Sequence, residues 1–272
     1  MTDAPKLTDR KALDLHRARA NRAPVTFLYD AIADEMKERL AEVNKTFNAP
    51  LLIGNDLPPF NALFPDALRI NDSPELNISQ NSHDLALHTF GLHWADDPIG
   101  QMVQSRLALK PDGLFIAVMF GGATLQELRA SIAEAEVKLT GGLSPRILPM
   151  ADLRDLGGLL QRAGFALPVA DSQTITVRYP SLAKLAVDLR GMGETNAQAD
   201  RQKTIPPRRL FTETEKIYRD TFNNDGYLVA TFEIVFLTGW APSDDQPKPL
   251  RPGSAKTRLS DVLGVPENPL DR

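Results

Sequence analysis

Asp84-Leu85-Ala86-Leu87-His88-Thr89-Phe90 opens the stretch that decides the fold. An amphipathic segment follows it, and the apolar run at 114–120 comes next. Two short apolar runs on either side of an amphipathic segment are typical of a strand–helix–strand crossover in a buried parallel sheet. The sequence therefore predicts an α/β protein whose central strands lie at 84–90 and 114–120.

The helix between these strands carries its own start and stop signals. Asp96 or Asp97 is the predicted N-cap, and Pro98 is the predicted first helical residue. Lys110-Pro111-Asp112-Gly113 matches a type I turn, with proline second and glycine fourth. The residues predicted to form the buried face share helical spacing. They are Ile99, Met102, Val103 and Leu107.

Composition limits the classes of function. The chain has 272 residues, of which 42% are hydrophobic and 24% are charged, and these are ordinary values for a globular protein. A net charge of −4 argues against a nucleic-acid partner, because phosphate binding needs a basic face. The chain has no cysteine, which excludes disulfides, thiolate nucleophiles and cysteine-ligated metal sites. No apolar run approaches the roughly 18–20 residues of a membrane span.

The N-terminal region bears on the compartment. Arginines are frequent there, at Arg10, Arg17, Arg19 and Arg22, but aspartates at positions 3, 9 and 14 interrupt them. A transit peptide would be poor in acidic residues, and a secretory signal would carry an apolar core. The sequence therefore predicts a cytoplasmic protein.

Before the central strands, the sequence predicts one long helix and two short strands. Pro24 opens an amphipathic helix that runs to about Asn44 and is expected to pack across the edge of the sheet. A strand at 51–53 ends at Gly54, and a second strand lies at 67–71. Prolines interrupt residues 55–66, so any helix there is short or broken.

After the central strands, two helices are predicted from their ends. Thr124 and Glu127 have the spacing of a capping box, and Gly141-Gly142 ends the helix that this box would start. Asp152 is the predicted N-cap of a further helix, which Gly164 ends in the left-handed conformation.

The last third of the sequence predicts an antiparallel ending. Residues 173–179 alternate strictly between apolar and polar, which favours a half-exposed antiparallel strand. Thr212 and Glu215 form a second capping box ahead of another helix, and the last strand lies at 229–238.

These elements divide the chain into three parts. We expect an N-terminal helical segment at 1–46 and an α/β domain at 47–241 with a helical insertion at about 180–225. Residues 242–272 are polar and rich in proline, which predicts an extended C-terminal tail.

Several short motifs accompany this order of elements between residues 83 and 241. They are Leu92-His93-Trp94, Lys110-Pro111-Asp112-Gly113, Met119-Phe120-Gly121-Gly122 with Thr124-Leu125 and Glu127-Leu128-Arg129, Asp155-Leu156-Gly157, Arg162-Ala163-Gly164-Phe165 and 188–194. Together they resemble one branch of the class I S-adenosylmethionine-dependent methyltransferases, which have a Rossmann-like α/β fold. That branch contains a mitochondrial complex I assembly factor, a protein arginine hydroxylase, with its bacterial relatives, and is akin to the carboxyl methyltransferase of biotin synthesis.

The resemblance implies a ligand and a partner. S-adenosylmethionine is the implied cofactor, bound at the carboxyl ends of the strands. The implied partner is a protein substrate or assembly client, such as a respiratory complex I subunit. The candidate cofactor contacts lie at the predicted strand ends: Gly54, Asp72, Phe90, Leu92 and Trp94.

The sequence departs from this family at the first strand. Family members follow that strand with a glycine-rich loop whose backbone N–H groups approach the methionine part of the cofactor. Here only Gly54 remains, and Pro58 and Pro59 replace residues that would donate. Counting both ends, Leu51 to Asp72 is 22 residues, and one strand–helix–strand unit takes roughly 30. We therefore expect the sheet to be shortened near its N-terminal strands.

The candidate residues near the central strand allow two interpretations each. Asp72 either hydrogen-bonds the adenine amino group or caps a turn beside Ser73-Pro74. His93 is either a general base for the substrate or a structural histidine. Trp94 is expected to form a pocket wall, and His88 to be packed in.

The substrate-side candidates lie in two loops. Gly121 and Gly122 either hold a substrate anion at a helix start or form a tight strand-to-helix turn. Glu194 and Asn196 lie in a glycine-containing loop, where such polar groups serve as binding residues or belong to a solvated linker.

The sequence shows no metal-ligand constellation, because His88 and His93 have no third ligand nearby. Two functional hypotheses follow. The first is a methyltransferase-family protein that acts on a protein substrate with a degenerate cofactor loop. The second is a cofactor-free protein that keeps the scaffold as an assembly or binding module.

Overall fold

The computed structural model describes residues 6–247 and Gly264. The helices in this part of the chain, in order, are α1 Arg10–Ala20, α2 Phe27–Glu42, α3 Pro58–Leu63, α4 Pro98–Ala108, α5 Gln126–Thr140, α6 Leu153–Arg162, α7 Leu182–Met192 and α8 Arg208–Phe222. The strands are β1 Pro50–Gly54, β2 Leu68–Ile70, β3 His83–Thr89, β4 Leu109–Phe120, β5 Ala166–Tyr179, β6 Asn223–Asn224 and β7 Tyr227–Trp240. A 3-10 turn at Leu92–Trp94 follows β3.

The strands form one mixed sheet. Its order is β2-β1-β3-β4-β7-β5, and the short β6 pairs with β7. The pairs from β2 to β4 are parallel, whereas β7 is antiparallel to both β4 and β5. The predicted α/β class, mostly parallel with an antiparallel last pair, is therefore confirmed.

Helices cover both faces of the sheet because the central strands are apolar on both sides. In β4, Leu114, Ile116 and Val118 pack on the face that holds α2, α7 and α8, while Phe115 and Ala117 pack on the face of α4 and α6. The predicted N-terminal helix is present as α2, but its expected place across the sheet edge is wrong. Its buried residues belong to the core on one face, so α2 closes that face. They are Leu28, Tyr29, Ile32, Ala33 and Met36.

The N-terminal strands are short, as predicted. Between β1 and β2 the chain makes a single crossover, whose only helix, α3, has six residues. Gly54 ends β1 at φ 141°, and a Cβ there would lie 2.3 Å from the carbonyl oxygen of Thr89. The tight packing of β1 on β3 therefore explains a glycine at this position.

The predicted capping box at Thr124 and Glu127 is wrong. The Thr124 hydroxyl donates to the carbonyl of Glu233 on β7, and the Glu127 carboxylate accepts the backbone N–H of Thr231 at 3.1 Å and its hydroxyl. Helix α5 begins only at Gln126, after Leu125 at φ 53°. Long-range bonds to β7 have replaced the local reciprocal pair, and they attach α5 to the sheet.

The second predicted capping box is wrong for a different reason. Helix α8 already begins at Arg208, so Thr212 lies within the helix and donates to the carbonyl of Arg208 at 3.3 Å. Glu215 pairs with Arg219 at 2.7 Å, one turn further on. Helix α8 thus begins four residues before Thr212, which is earlier than the spacing of Thr212 and Glu215 predicts.

The ends of α4 and α6 follow the sequence in part. Asp97 and Asp152 are N-caps, and each accepts a backbone N–H in the first turn. However, Leu107 is 37% exposed, and Asp112 has φ 59°, which the third position of a type I turn does not allow. The buried residues of α4 are Gln101, Met102, Ser105 and Ala108. The helix is therefore rotated relative to the predicted face.

Helix α1 contributes to the core rather than lying apart from it. Leu13 of α1 is fully buried with Trp94, Leu148 and Ala197. One unit of the chain extends to Pro242, and a second begins at Ser243. In the second unit, residues 243–246 form a turn; most of the predicted tail at 242–272 lies outside the described residues. Within the described part of the chain, no helix has the length and apolarity needed to cross a bilayer.

We expect Leu13→Ala to lower the free energy of unfolding by about 2–4 kcal/mol, because it opens a cavity in a closed cluster. Leu15→Ala is the matched control, since Leu15 lies on the same helix and is 56% exposed. Urea denaturation of both variants measures the difference. Equal stability of the two variants would mean that α1 is not part of the cooperative fold.

Candidate functional site

Two cavities open near the carboxyl ends of the strands, where open α/β sheets bind ligands. The β1–β2 cavity, of about 520 Å³, includes Gly54, Asn71 and Thr89 in its lining. The Glu194 cavity, of about 390 Å³, lies on the β4 side, and its lining includes Phe120 and Glu194. The β1–β2 cavity is lined mainly by polar residues, whereas the lining of the Glu194 cavity is predominantly apolar.

Asp72 lies two residues beyond the end of β2, and its carboxylate is bound by α1. Its carboxylate is fully buried and pairs with Arg17 at 2.6 Å and with Arg10 at 3.2 Å. Arg17 also donates to the carbonyl of Phe90 at 3.3 Å. The position that sequence reasoning assigned either to adenine or to a turn cap is thus an anchor for the N-terminal helix in this structure.

The charges at this anchor are strongly coupled. Burial alone would raise the pKa of Asp72, but the two guanidinium groups outweigh it and hold the pKa well below its usual range. Beside it, burial lowers the pKa of His88 to about 4, against the opposing effects of Asp72 and of a hydrogen bond to Gln101. Gln101 in turn donates to the backbone carbonyl of Asp72 at 3.1 Å. His88 is therefore a packed, neutral partner of this network.

The 3-10 turn at Leu92–Trp94 carries the second group of polar contacts. The Trp94 indole N–H donates to Glu194 Oε2 at 2.8 Å, and His93 Nε2 lies 3.2 Å from the same oxygen. Because a carboxylate only accepts, Nε2 is assigned the proton in this contact. His93 is fully buried, and its Nδ1 has no hydrogen-bond partner among residues 6–247.

Glu194 is held at the edge of its cavity by the chain that follows α7. Gly193 ends α7 at φ 82°, and the Glu194 N–H donates to the carbonyl of Leu189 at 2.9 Å. The side chain is 10% exposed, and its Oε1 lies 3.5 Å from the Tyr29 hydroxyl. The side chains of Trp94, His93 and Tyr29 thus converge on the carboxylate of Glu194.

The remaining cofactor-side candidates are packing residues in this structure. Phe90 is buried at φ 47° against Tyr29, Phe60 and Phe120. A non-glycine residue at positive φ is uncommon and requires support from its surroundings. Here its ring cluster and the Arg17 contact to its carbonyl supply that support. Leu92 belongs to the core on the opposite face.

The turn at Gly121 and Gly122 already binds a carboxylate of the protein itself, that of Glu233. The N–H of Ala123 donates to Glu233 Oε2 at 2.8 Å, and a Cβ on Gly121 would lie 2.6 Å from that oxygen. This close approach explains glycine at position 121. The carboxylate of Glu233 occupies the place that a substrate anion would need.

Asn196 holds the loop after Glu194 in place. Its Nδ2 donates to the carbonyl of Pro145 at 2.8 Å, and its Oδ1 accepts the N–H of Gln198 at 3.0 Å. Asn196 also lines the Glu194 cavity. Its role in binding a substrate remains a prediction.

Sequence reasoning missed Arg17 and Tyr29, which share this network with Glu194. Tyr29 donates to the carbonyl of Met192 at 2.9 Å, and burial raises its pKa well above the usual value. An arginine on the otherwise apolar buried side of α1, next to Leu13, was the available signal. Its partner Asp72 is 55 residues away, and no local pattern identifies it.

No group of three or more histidine, aspartate or glutamate side chains with the geometry of a metal site occurs within the described ranges. The search of protein-family models finds no match. Comparison with individual proteins does find relatives. The chain is 40% identical to "Arginine-hydroxylase NDUFAF5, mitochondrial" of Danio rerio over 195 residues, which are 71% of this chain and 60% of that protein.

Two further relatives are similar to this chain over a comparable length. The protein of the same name in Mus musculus is 37% identical over 238 residues, covering 84% of this chain and 67% of the relative. A malonyl-[acyl-carrier protein] O-methyltransferase of Xylella fastidiosa is 32% identical over 181 residues, 66% of this chain and 59% of the relative. The chain thus spans about three fifths of the length of most of these relatives.

Among solved structures, a Haemonchus contortus phosphoethanolamine N-methyltransferase in complex with S-adenosyl-L-methionine is similar at a TM-score of 0.42 and 11% identity. The match covers 77% of this chain and 53% of that one. At this level the similarity supports no inference about ligands.

The prediction of a cytoplasmic protein is wrong, because the relatives from Danio rerio, Mus musculus and Homo sapiens are named as mitochondrial. The prediction rested on aspartates among the N-terminal arginines. In the structure much of that segment is α1, and its Arg17 is buried on Asp72. The composition there reflects helix packing and gives no information about the compartment.

We expect Asp72→Asn to lower the free energy of unfolding by about 3–5 kcal/mol near neutral pH, because it leaves a buried arginine without its counter-charge. The folded-state pKa is depressed below the reference value of 3.8. The stabilisation is therefore complete above about pH 4 and is lost as the pH falls through the folded-state pKa. Urea denaturation at several pH values measures it.

Asp14→Asn is the control, since Asp14 is exposed on α1, the helix that carries Arg17. The difference between wild type and Asp72→Asn should stay constant from about pH 8 to 5 and shrink below pH 4. A difference that is independent of pH down to pH 2 would contradict the ion-pair account.

Proposed function

This chain belongs to the family of the arginine hydroxylases NDUFAF5, and on that premise we propose that it binds and modifies an arginine side chain of a protein substrate in the Glu194 cavity. The proposed client is a subunit of respiratory complex I, as the resemblance to the assembly-factor branch implies. The relatives are described as arginine hydroxylases, and that description supports an arginine as the target.

The single observation that carries this proposal is the carboxylate of Glu194. Trp94 and His93 hold its Oε2, and the side chain stays 10% exposed at the cavity wall. A guanidinium is planar and presents paired N–H donors that match a carboxylate. A carboxylate fixed by an indole and an imidazole in a mainly apolar cavity is therefore well suited to an arginine head group.

The rest of the cavity suits the arginine stem. Phe120, Leu125, Leu128 and Phe232 contribute apolar walls. The methylene groups of arginine pack on apolar surface while the charged head finds its partner. A neutral amide or alcohol would leave the Glu194 carboxylate without a cationic partner in direct contact in a partly buried site, which is less favourable.

The implied cofactor fits this chain only in part. Asn71, Ser73 and Asn77 line the β1–β2 cavity and offer side-chain hydrogen bonds of the kind that ribose and adenine use. At the methionine end, however, Pro58 and Pro59 begin α3 and have no N–H to donate. The residues present therefore suit the nucleoside half of S-adenosylmethionine but not its methionine half.

This mismatch supports a second candidate function. A chain that keeps the arginine-binding cavity without a complete cofactor site would serve as a binding module in assembly. The Asp72 carboxylate, already neutralised by Arg17 and Arg10, favours this reading, because it is committed to α1 and not available to adenine. Cofactor binding distinguishes the two candidates.

We expect Glu194→Gln to weaken binding of a peptide with a central arginine about tenfold to a hundredfold. Losing a hydrogen bond to a charged group costs roughly 1.5–3 kcal/mol. The amide keeps an acceptor for Trp94, so folding should be retained. Fluorescence anisotropy with a labelled peptide measures the change, and the same peptide with a central alanine is the blank.

Glu134→Gln makes the same chemical change on the exposed surface of α5 and should bind like wild type. Equal affinity of Glu194→Gln and Glu134→Gln would remove the support for an arginine at this carboxylate.

Thermal denaturation with S-adenosylmethionine and with adenosine, each at about 1 mM, tests the cofactor site, since a ligand of the folded state raises the midpoint. We expect S-adenosylmethionine to raise the midpoint no more than adenosine does, because the methionine half lacks its donors. A rise several degrees larger with S-adenosylmethionine would contradict the partial fit. No rise with either compound would support the cofactor-free module.

A further inference from the structure

A groove between α7 and α8 leads away from the Glu194 cavity. Its volume is about 660 Å³, and the two spaces share three lining residues, Ala186, Arg190 and Phe211. The groove is therefore continuous with the cavity in which we propose that an arginine binds. Any segment of a protein substrate that places its arginine on Glu194 has to continue outward past one side of this cavity.

The floor of the groove is apolar and open to solvent. Val187 is 51% exposed and Phe211 is 44% exposed. Ala183 and Ala186 of α7 also line the groove and add little bulk to it. Two large apolar side chains that remain exposed next to a binding cavity are typical of a contact surface.

The charges around this floor are unbalanced. Glu215 is paired with Arg219 at 2.7 Å. In contrast, the side chains of Arg190, at the junction with the cavity, and of Lys216, further along α8, make no hydrogen bond or close ion pair with the residues that the structure describes. The acidic residue of the groove is thus neutralised. Within residues 6–247, Arg190 has no hydrogen-bonded counter-charge, and Lys216 interacts only electrostatically, with Glu213.

We propose that this groove binds the part of the protein substrate that flanks the target arginine, and that this flank carries an acidic residue for Arg190 and an aliphatic residue for Val187 and Phe211. The inference rests on the proposed arginine-binding function. Arg190 binds the carboxylate next to the cavity, where a guanidinium is suited to bidentate contact. Lys216 extends the same preference for negative charge along α8.

Four labelled 15-residue peptides test the proposal by fluorescence anisotropy on the full chain. One has a central arginine with aspartate and leucine on both sides. The second replaces the aspartates with lysines, the third replaces the leucines with serines, and the fourth replaces the central arginine with alanine. We expect the first peptide to bind at least tenfold more tightly than the second and several-fold more tightly than the third.

Arg190→Glu should weaken binding of the aspartate peptide about tenfold and improve binding of the lysine peptide. Val187→Ser should reduce the difference between the leucine and serine peptides. Arg154→Glu makes the same charge reversal at an exposed position of α6, on the face of the sheet opposite to α7 and α8. It should leave all affinities unchanged. Melting midpoints verify that each variant is folded.

The outcomes separate this inference from the proposed function. If the flanks do not affect affinity while the central arginine does, the groove proposal is wrong and the cavity proposal stands. If the flanks matter but the central arginine does not, the cavity proposal is overturned, and with it the assignment of the groove to the flank of a target arginine. If no peptide binds, or if Arg190→Glu binds both charged peptides like wild type, the groove proposal is overturned.

Discussion

The ion pair between Arg17 and Asp72 is the interaction on which the arrangement of the site depends. It joins α1 to the segment that follows β2 at a point where both side chains are almost fully buried. Neither charge is tolerable there alone, so the two elements are held in one relative position. The same helix contacts the loop beyond α7, because His16 lies 3.1 Å from the carbonyl of Thr195 and the Asp9 N–H donates to Ala197. Helix α1 therefore positions the loop that carries Glu194.

The buried hydrogen bonds of the candidate site are concentrated around Glu194, near β4. Near β1 the backbone donors expected of a cofactor loop are reduced to Gly54 and a short helix that begins with two prolines. Near β4, in contrast, Trp94, His93 and Tyr29 surround a single carboxylate. Both β1 and β4 are interior strands whose carboxyl ends could carry a ligand site. The fold alone therefore does not determine which of the two positions carries the chemistry. The buried hydrogen bonds around Glu194 determine it.

The elements that sequence could predict are those whose signals are local. The apolar runs of β3 and β4, the caps Asp97 and Asp152 and the turn at Gly141 all depend on neighbouring residues. The prediction that Thr124 caps α5 was wrong because its hydroxyl donates instead to the carbonyl of Glu233 on β7, 109 residues away. The loop of Glu194 was found from its composition, whereas Arg17 and Tyr29 were missed because their partners are brought close only by the fold. Sequence therefore did not predict those residues of the site whose hydrogen bonds join distant parts of the chain.

The polarity of the Glu194 cavity also follows from where the chain satisfies its own charges. Glu233 fills the anion-binding turn at Gly121 and Gly122, which leaves no place there for a negatively charged ligand. The interior of the cavity instead presents a carboxylate, while an unpaired guanidinium, Arg190, stands at its mouth. A ligand that complements this order carries positive charge at its tip and negative charge at its base. A free cation satisfies only the first condition, and a side chain within an acidic polypeptide segment satisfies both.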